Sequence, residues 1–454
     1  MRRGRYRENR NIHCSHGPSE VAHLNAHASH LEPSVSPLDM PLPSQGMPRL
    51  RRAAALDRDA RNLLRLVNLA TRLRPVEKYS LAQSRQLWRL CALALGRQVP
   101  VAAVSEVEIE GPAGPITLRV FKPRQSDQLL PAFVWCHGGG FIVGDLDTGE
   151  SICRNITTAA DCISVAVRYR LAPEHDLNAG REDFLAALKW IAQNGAELGI
   201  DSSRLAIGGD SAGGNICAAV AQEWVRSKGP RLALQVLAYP ATDLVQEFPS
   251  LAENAEGYFI SDHLLGLIRE VTASAAESLD PTDAWLSPRR NPILDGLPPA
   301  LVISAGFDPI RDDGLDYANR LRAAKVPVEL LHYPGEFHGF LNFDAVVGAG
   351  RDVLQRTGTT LARAFAGESA ADRTLEISDQ SAKTSLGEIG ATLLATLTAS
   401  HGWRDALLRQ LSPRLASVSQ RMLRPWLAPS SAMQKRLANR FEKRVAEQTY
   451  PTNP

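Results

Sequence analysis

The sequence lacks several features that mark specialised classes of protein. No run of eighteen apolar residues occurs, which argues against a transmembrane helix. The basic start MRRGRYRENRN is not followed by an apolar stretch, so no secretory signal is predicted. None of the six cysteines forms a C-x-x-C pair, so the sequence suggests neither a zinc site nor a redox motif. We expect a cytoplasmic protein with reduced thiols.

The charge and composition of the chain argue against further specialised classes of protein. The net charge is +2 over 454 residues, so the chain as a whole lacks the excess of positive charge that is typical of nucleic-acid-binding proteins. Hydrophobic residues make up 44% and charged residues 22%, as in ordinary globular proteins. Residues 1–48 differ: they hold five of the eleven histidines and show no helical or strand periodicity, and we interpret them as a disordered extension. Translation from Met1, Met40 or Met47 stays open.

The spacing of apolar residues changes along the chain. Residues 49–100 carry leucines at helical spacing, and two short apolar segments then flank a turn at 111–114, which is typical of a hairpin. From about residue 130 onward, short apolar strands alternate with amphipathic helices. This order predicts an α/β protein with a mostly parallel sheet covered by helices on both faces. The stretch 244–285 interrupts the alternation and is interpreted as a lid-like insertion.

The strongest chemical motif is Gly-Asp-Ser-Ala-Gly at residues 209–213. It follows an apolar strand at 205–208 and precedes an alanine-rich helix that begins near Ala212. A sharp strand-to-helix turn exposes such a serine at the edge of a sheet, and the glycines permit the strained backbone. Ser211 is therefore the predicted nucleophile. Chymotrypsin-like proteases carry a similar motif, but they are all-β and their histidine and aspartate precede the serine.

An apolar strand at 133–136 ends in His-Gly-Gly-Gly at residues 137–140. Glycine has no Cβ, so the backbone N–H groups of such a loop can turn toward the oxyanion that forms when serine attacks a carbonyl. The N–H of Ala212, directly after the nucleophile, is the further donor expected at this kind of turn. We interpret His137 as an anchor of the loop conformation, not as a general base.

The general base is expected after the last strand of the core. Residues 328–332 form that predicted strand, and the glycine-containing loop behind it displays His338. His332 belongs to the strand itself and is interpreted as structural. His338 is therefore the predicted base.

The acid that orients the histidine should end the preceding strand. Asp308 stands there, directly before a proline that fixes the turn. Asp312 and Asp313 are nearby competitors, but both suit a helix N-terminus, where negative charge is favoured. The order Ser211, Asp308, His338 is the order of an α/β-hydrolase triad.

Five segments together resemble the bacterial hormone-sensitive-lipase-like esterases. They are HGGGF at 137–141, YRLAPEH at 169–175, GDSAGG at 209–214, LPPALVISAGFDPIRDDG at 297–314 and FHGF at 337–340. The resemblance covers about residues 50–366, and residues 49–366 are the predicted hydrolase domain. It implies an α/β-hydrolase fold with an eight-stranded sheet and a helical cap made from 49–100 and 244–285.

The resemblance also implies an activity. It implies a serine carboxylic-ester hydrolase that acts on a small-molecule ester with a short or medium acyl chain and needs no cofactor. It implies Gly139, Gly140 and Ala212 as the main oxyanion donors, with Gly138 as a further candidate. One departure follows residue 175, where family members commonly have Phe-Pro-Ala and this chain has Asp-Leu-Asn-Ala. This departure affects the shape of a loop and leaves the triad intact.

Two other functions stay open at this point. One is an amidase or acyltransferase with the same triad, because cap residues choose the leaving group. The other is a non-catalytic ligand-binding protein on the same fold, as plant gibberellin receptors are. Those receptors lose the catalytic histidine, whereas His338 is present here, which favours an enzyme.

The C-terminal region lies outside the resemblance. Residues 367–385 are polar and predicted as a linker, and residues 386–454 are predicted as a basic amphipathic helical extension. Residues 401–454 carry a net charge of +7. Their apolar positions suit packing on the core or on another subunit, as in a homodimer, or a peripheral contact with an anionic membrane or lipid particle. Because every predicted catalytic residue precedes this region, we expect hydrolysis of a soluble ester without residues 370–454.

Overall fold

The structure, a computed structural model, describes residues 50–75, 78–275, 278–379 and 441–450. Its strands are β1 (Ala103–Gly111), β2 (Gly114–Lys122), β3 (Leu130–Cys136), β4 (Ile163–Val167), β5 (Ile200–Asp210), β6 (Leu232–Ala238), β7 (Ala300–Phe307), β8 (Val328–Phe337), β9 (Arg373–Asp379) and β10 (Val445–Tyr450). Its α-helices are α1 (Arg58–Leu73), α2 (Leu81–Leu95), α3 (Glu150–Ala160), α4 (Leu177–Asn194), α5 (Ala212–Arg226), α6 (Pro249–Glu253), α7 (Asp262–Ala275), α8 (Arg311–Ala323) and α9 (Gly348–Phe365).

The strands form one sheet in the order β1-β2-β4-β3-β5-β6-β7-β8-β9-β10. Strand β2 pairs antiparallel with β1 and β4, and every neighbouring pair from β4 to β9 is parallel. Strands β3, β4, β7 and β8 are buried along their whole length. This is the burial expected of parallel strands covered on both faces, and it confirms the predicted α/β architecture.

Helices cover both faces of the sheet. On one face, Phe184 of α4, Ile216 of α5 and Tyr317 of α8 pack in one apolar core with strand side chains. On the other face, Ile156 of α3 and Val353 of α9 pack in a second core. Because β5, β7 and β8 run parallel, their carboxyl ends meet at one edge of the sheet. The loops after these three strands carry the predicted triad residues.

The two segments predicted as a cap contact each other. Helices α1 and α2 belong to the first segment, and α6 and α7 belong to the second. Trp88 of α2 packs against Phe259 with ring centroids 5.8 Å apart, and Arg52 pairs with Glu253 at 3.0 Å. Across the described parts of the chain, no helix has the length and apolar character needed to cross a membrane.

Strands β9 and β10 correct the predicted organisation of the C-terminal region. Residues 373–379, within the predicted linker, form β9 parallel to β8. Residues 445–450, within the predicted helical extension, form β10 antiparallel to β9. Within the described residues the sheet therefore has ten strands, where eight are expected. The predicted extension at 1–48, the three candidate start methionines and most of residues 386–454 lie outside the described residues.

The sequence signals for these two strands differ. In β9, buried Leu375 and Ile377 alternate with more exposed neighbours, a period of two that is typical of a strand. In β10, the residues pair with a strand that lies more than sixty positions earlier in the chain. The local spacing of apolar residues carries no information about such distant pairing. For this reason the spacing predicts a helix where the structure has a strand.

Candidate active site

Ser211 lies at the sharp turn between β5 and α5 and has a φ of 55°, in the left-handed region. The turn needs glycines on both sides of the serine. A Cβ on Gly213 would collide with the carbonyl oxygen of Cys136, and a Cβ on Gly209 would collide with the carbonyl oxygen of Gly213. The local sequence thus permits the strained backbone that presents the serine hydroxyl at the edge of the sheet.

The structure brings Ser211, His338 and Asp308 together in one chain of hydrogen bonds. Nε2 of His338 lies 2.9 Å from Oγ of Ser211, and Nδ1 of His338 lies 2.8 Å from Oδ2 of Asp308. The other oxygen of Asp308 accepts a hydrogen bond from the N–H of Ile310 at 2.8 Å. Asp308 is fully buried and His338 is 2% exposed. A carboxylate held in this way fixes the imidazole with a proton on Nδ1, so that Nε2 can accept the serine proton.

The two competing aspartates have structural partners. Asp313 accepts hydrogen bonds from the N–H and the hydroxyl of Thr242 at 2.6 and 2.5 Å, and burial raises its pKa to about 7. Asp312 accepts the N–H of Ser250 at 2.9 Å. Neither hydrogen-bonds to His338, so Asp308 is the geometric candidate for the orienting acid.

In the glycine loop after β3, one of the predicted oxyanion donors already has a partner within the protein. The N–H of Gly138 donates to Oδ1 of Asp210 at 2.7 Å, so it is already engaged within the protein. Gly139 and Gly140 have φ values of 127° and 60°, which side-chain-bearing residues rarely adopt. Ala212 begins α5, so its N–H belongs to the first turn, whose donors have no acceptor within the helix. The candidate donors are therefore Gly139, Gly140 and Ala212.

The two other histidines of this region are buried and structural. Nδ1 of His137 donates to the carbonyl of Gly138 at 2.9 Å, and its ring stacks on Tyr169 with centroids 4.3 Å apart. Burial lowers the pKa of His137. His332 bonds through Nε2 to the carbonyl of Arg51 at 2.8 Å, and burial lowers its pKa to about 4. Both rings are thus neutral hydrogen-bonding elements of the scaffold.

Asp210 is a functional candidate that the sequence analysis did not single out. It directly precedes Ser211 and is buried, and burial raises its pKa to about 6. Besides the N–H of Gly138, it accepts a long hydrogen bond from Asn342 at 3.4 Å. Asp210 thereby connects the serine turn to the glycine loop and to the loop after β8. Its position inside the Gly-x-Ser-x-Gly motif was the available signal.

Apolar side chains of the 244–285 segment lie over the site. A Cβ on Gly140 would lie 2.8 Å from Cδ1 of Ile268 in α7, and a Cβ on Gly339 would lie 3.5 Å from the ring of Phe259. Ile268 therefore covers the glycine loop, and Phe259 lies beside the loop that carries His338. We call these two side chains the apolar roof of the site. A cavity of about 360 Å³ lies elsewhere, at the amino ends of the strands, and no triad residue lines it.

Comparisons with known proteins identify the family of this chain. A family model described as the alpha/beta hydrolase fold matches residues 133–342, which include all three triad candidates. The esterase LipI of Mycobacterium tuberculosis is 41% identical over 259 residues, which make up 57% of this chain and 81% of the relative. The chain belongs to the α/β-hydrolase family.

Further relatives of this α/β-hydrolase are esterases as well. An ethyl acetate hydrolase of Pseudomonas putida is 33% identical over 270 residues, which cover 58% of this chain and 83% of the relative. A solved ester hydrolase from the metagenome of Lake Arreo is 36% identical, with a TM-score of 0.66, and the match covers 68% of this chain and 99% of that chain. The resemblance to bacterial hormone-sensitive-lipase-like esterases is confirmed, and the protein is a carboxylic-ester hydrolase.

The first prediction separates Asp308 from its neighbour Asp312. Asp308→Asn should lower kcat/KM about 10⁴-fold, because an amide donor at this position stabilises the wrong tautomer of His338. Asp312→Asn is the matched control and should stay within about threefold of the wild type. Steady-state kinetics on a p-nitrophenyl ester measure both. Greater sensitivity of the Asp312 variant would show that the orienting acid has been misassigned.

The second prediction concerns Asp210. Asp210→Ala leaves the buried N–H of Gly138 without its acceptor, which should destabilise the fold by about 1–3 kcal/mol and lower kcat. Asp210→Asn retains an acceptor oxygen, so its losses of fold stability and of kcat should both be smaller. Thermal unfolding and separate values of kcat and KM make the comparison. Equal losses in the two variants would contradict a role for this hydrogen bond.

Proposed function

We propose that this chain hydrolyses esters of short- and medium-chain carboxylic acids through an acyl-enzyme on Ser211. The observation that carries the proposal is the hydrogen-bonded chain from Oγ of Ser211 through His338 to Asp308, with distances of 2.9 and 2.8 Å. A serine hydroxyl is a weak nucleophile by itself, and a neighbouring oriented base is the usual means of activating it.

In the first half of the proposed reaction, Nε2 of His338 takes the proton of Ser211 as Oγ attacks the ester carbonyl carbon. The new C–O bond gives a tetrahedral oxyanion, which the N–H groups of Gly139, Gly140 and Ala212 are positioned to stabilise. Asp308 stabilises the imidazolium. The tetrahedral species then expels the alcohol, which leaves with the proton from His338, and an acyl-enzyme remains.

In the second half, His338 takes a proton from a water molecule whose oxygen attacks the acyl carbon. The second oxyanion uses the same backbone donors. Its collapse breaks the bond to Oγ of Ser211, and His338 returns the proton to the serine. The products are one carboxylic acid and one alcohol, and the enzyme returns to its starting state.

The apolar roof of the site supports a preference for small acyl groups. Ile268 lies against Gly140 and Phe259 lies near Gly339, so apolar side chains limit the space directly above the triad. Apolar walls suit an alkyl chain. The printed name of the Pseudomonas relative, ethyl acetate hydrolase, states a substrate with a two-carbon acyl group and supports the same preference.

The alternatives from the sequence can be weighed against the same geometry. A non-catalytic binding protein has no need of a histidine held between a strained serine and a buried carboxylate, so the triad favours an enzyme. An amidase or acyltransferase would use the same residues and differ in the leaving group or acceptor. A panel of p-nitrophenyl esters and p-nitroanilides with acyl chains of increasing length separates these activities.

The third prediction tests the nucleophile and the base. Ser211→Ala and His338→Ala should each lower kcat on p-nitrophenyl butyrate by about 10⁴-fold or more and leave the far-UV circular dichroism unchanged. The size of the loss follows from the shared role of the two residues in forming the acyl-enzyme. Wild-type-like turnover by pure Ser211→Ala protein would refute the assignment.

A further inference from the structure

A cluster of buried carboxyl groups lies behind the loop that carries His338. The N–H of Asp57, at the start of α1, donates to the carbonyl of Gly335 at 2.8 Å. The carboxylate of Asp57 packs so closely on Gly335 that a Cβ there would collide with it. The next residue, Glu336, is 1% exposed, and after burial the negative charge of Asp57 is the main cause that raises the pKa of its carboxyl group. Glu336 lies only two positions before His338 in the chain.

Burial favours the neutral, protonated form of both carboxyl groups. It raises the pKa of Asp57 to about 8 and raises the pKa of Glu336 well above its ordinary value. Burial also raises the pKa of nearby Asp59. Additional negative charge within this cluster of carboxyl groups would therefore destabilise the folded state.

The C-terminal strands bring a charge pair to this cluster. Asp379 ends β9 and its side chain is 1% exposed; the parallel pairing of β9 with β8, in which Glu376 lies opposite His332, carries Asp379 toward the end of β8 that holds Glu336. Arg444, directly before β10, donates through Nε to Oδ1 of Asp379 at 2.9 Å and through a terminal nitrogen to Oδ2 at 2.9 Å. Arg444 lowers the pKa of both Asp57 and Asp59, whereas Asp379 raises them. Arg351 of α9 also lowers the pKa of Asp59.

Packing holds this C-terminal segment in place. Phe441 is 2% exposed and lies against Gly348 at the start of α9, so closely that a Cβ on Gly348 would be 2.6 Å from Cβ of Phe441. The side chains of Arg356 and Glu447 form an ion pair 2.5 Å long between α9 and β10. Both strands lie outside residues 133–342, the part of the chain that the family model matches. The charge of Arg444 is thus supplied by a region beyond the matched hydrolase core.

We propose that β9 and β10 are a positioning element of the active site, in which Arg444 holds the buried carboxyl groups behind the His338 loop in their catalytic arrangement. The inference rests on the proposed function, in which His338 is the base. Arg444 touches neither substrate nor triad, so it acts through Asp379, Asp57 and Glu336. The C-terminal region would then be required for full activity, in contrast to the expectation from the sequence alone.

The proposal predicts a specific dependence on pH. In an unfolded chain, these carboxyl groups ionise near pH 4. The raised pKa in the folded state means that the native state loses stability as the pH rises from about 4 to about 8. The positive charge of Arg444 limits that loss. Its removal should therefore have little effect near pH 5 and a large effect near pH 8.

The fourth prediction uses three variants of the full chain. Arg444→Met removes the charge and keeps the length of the side chain, Arg444→Lys keeps the charge, and Arg444→Met with Asp379→Asn removes both partners. The ratio of kcat/KM for Arg444→Met to that of the wild type should fall at least about tenfold between pH 5 and pH 8. The lysine variant should recover most of the activity, and the double variant should show a nearly constant ratio. Unfolding midpoints over the same pH range should follow the same order.

Distinct outcomes would overturn the inference. A loss that is independent of pH, or equal in Arg444→Met and Arg444→Lys, would reduce the role of Arg444 to packing. If Arg444→Met does not fold, the double variant should fold, and its failure to do so would also count against the proposal. If the wild type hydrolyses no ester, the proposed function is wrong, but the inference about Arg444 can still be tested. In that case the pH dependence of the unfolding midpoints alone decides the role of Arg444.

Discussion

The hydrogen bond between Asp308 and His338 is the constraint on which the site depends. Nε2 of His338 can accept the proton of Ser211 only while the other ring nitrogen carries a proton and donates it. The 2.8 Å contact with a fully buried carboxylate imposes that state. Parallel pairing of β7 and β8 brings the two residues to one edge of the sheet, although thirty positions separate them in the sequence.

The surroundings hold the histidine loop from several sides. The segment before α1 runs along the end of β8, where the N–H of Ala53 donates to the carbonyl of Pro334 at 2.7 Å and Nε2 of His332 donates to Arg51. The ring of Tyr239 packs against that of His338 with centroids 4.7 Å apart. Buried polar groups of this kind are expensive when they lose a partner. The loop is therefore held by contacts from several separate parts of the chain.

Much of the site could be predicted from the sequence because its signals are local. Glycines beside Ser211 mark a strained turn, and Asp308 and His338 follow strands that apolar runs reveal. The hydrogen bond from the N–H of Gly138 to Asp210 could not be predicted, because the two residues lie 72 positions apart and only the folded chain brings them together. Strand β10 and the pairing of Arg444 with Asp379 depend on equally distant contacts. Periodicity and turn chemistry describe the neighbourhood of a residue in the chain, not its neighbours in space.

Labelling with a p-nitrophenyl alkylphosphonate tests the central claim most directly, because attack by the activated serine leaves a stable bond from phosphorus to Oγ and releases p-nitrophenol. Peptide mass spectrometry of the labelled protein locates the modified residue. The account predicts one equivalent of p-nitrophenol, a single label on the peptide that contains Ser211, slow labelling of His338→Ala and none of Ser211→Ala. A label on another residue, or equal labelling of the Ser211→Ala protein, would contradict it.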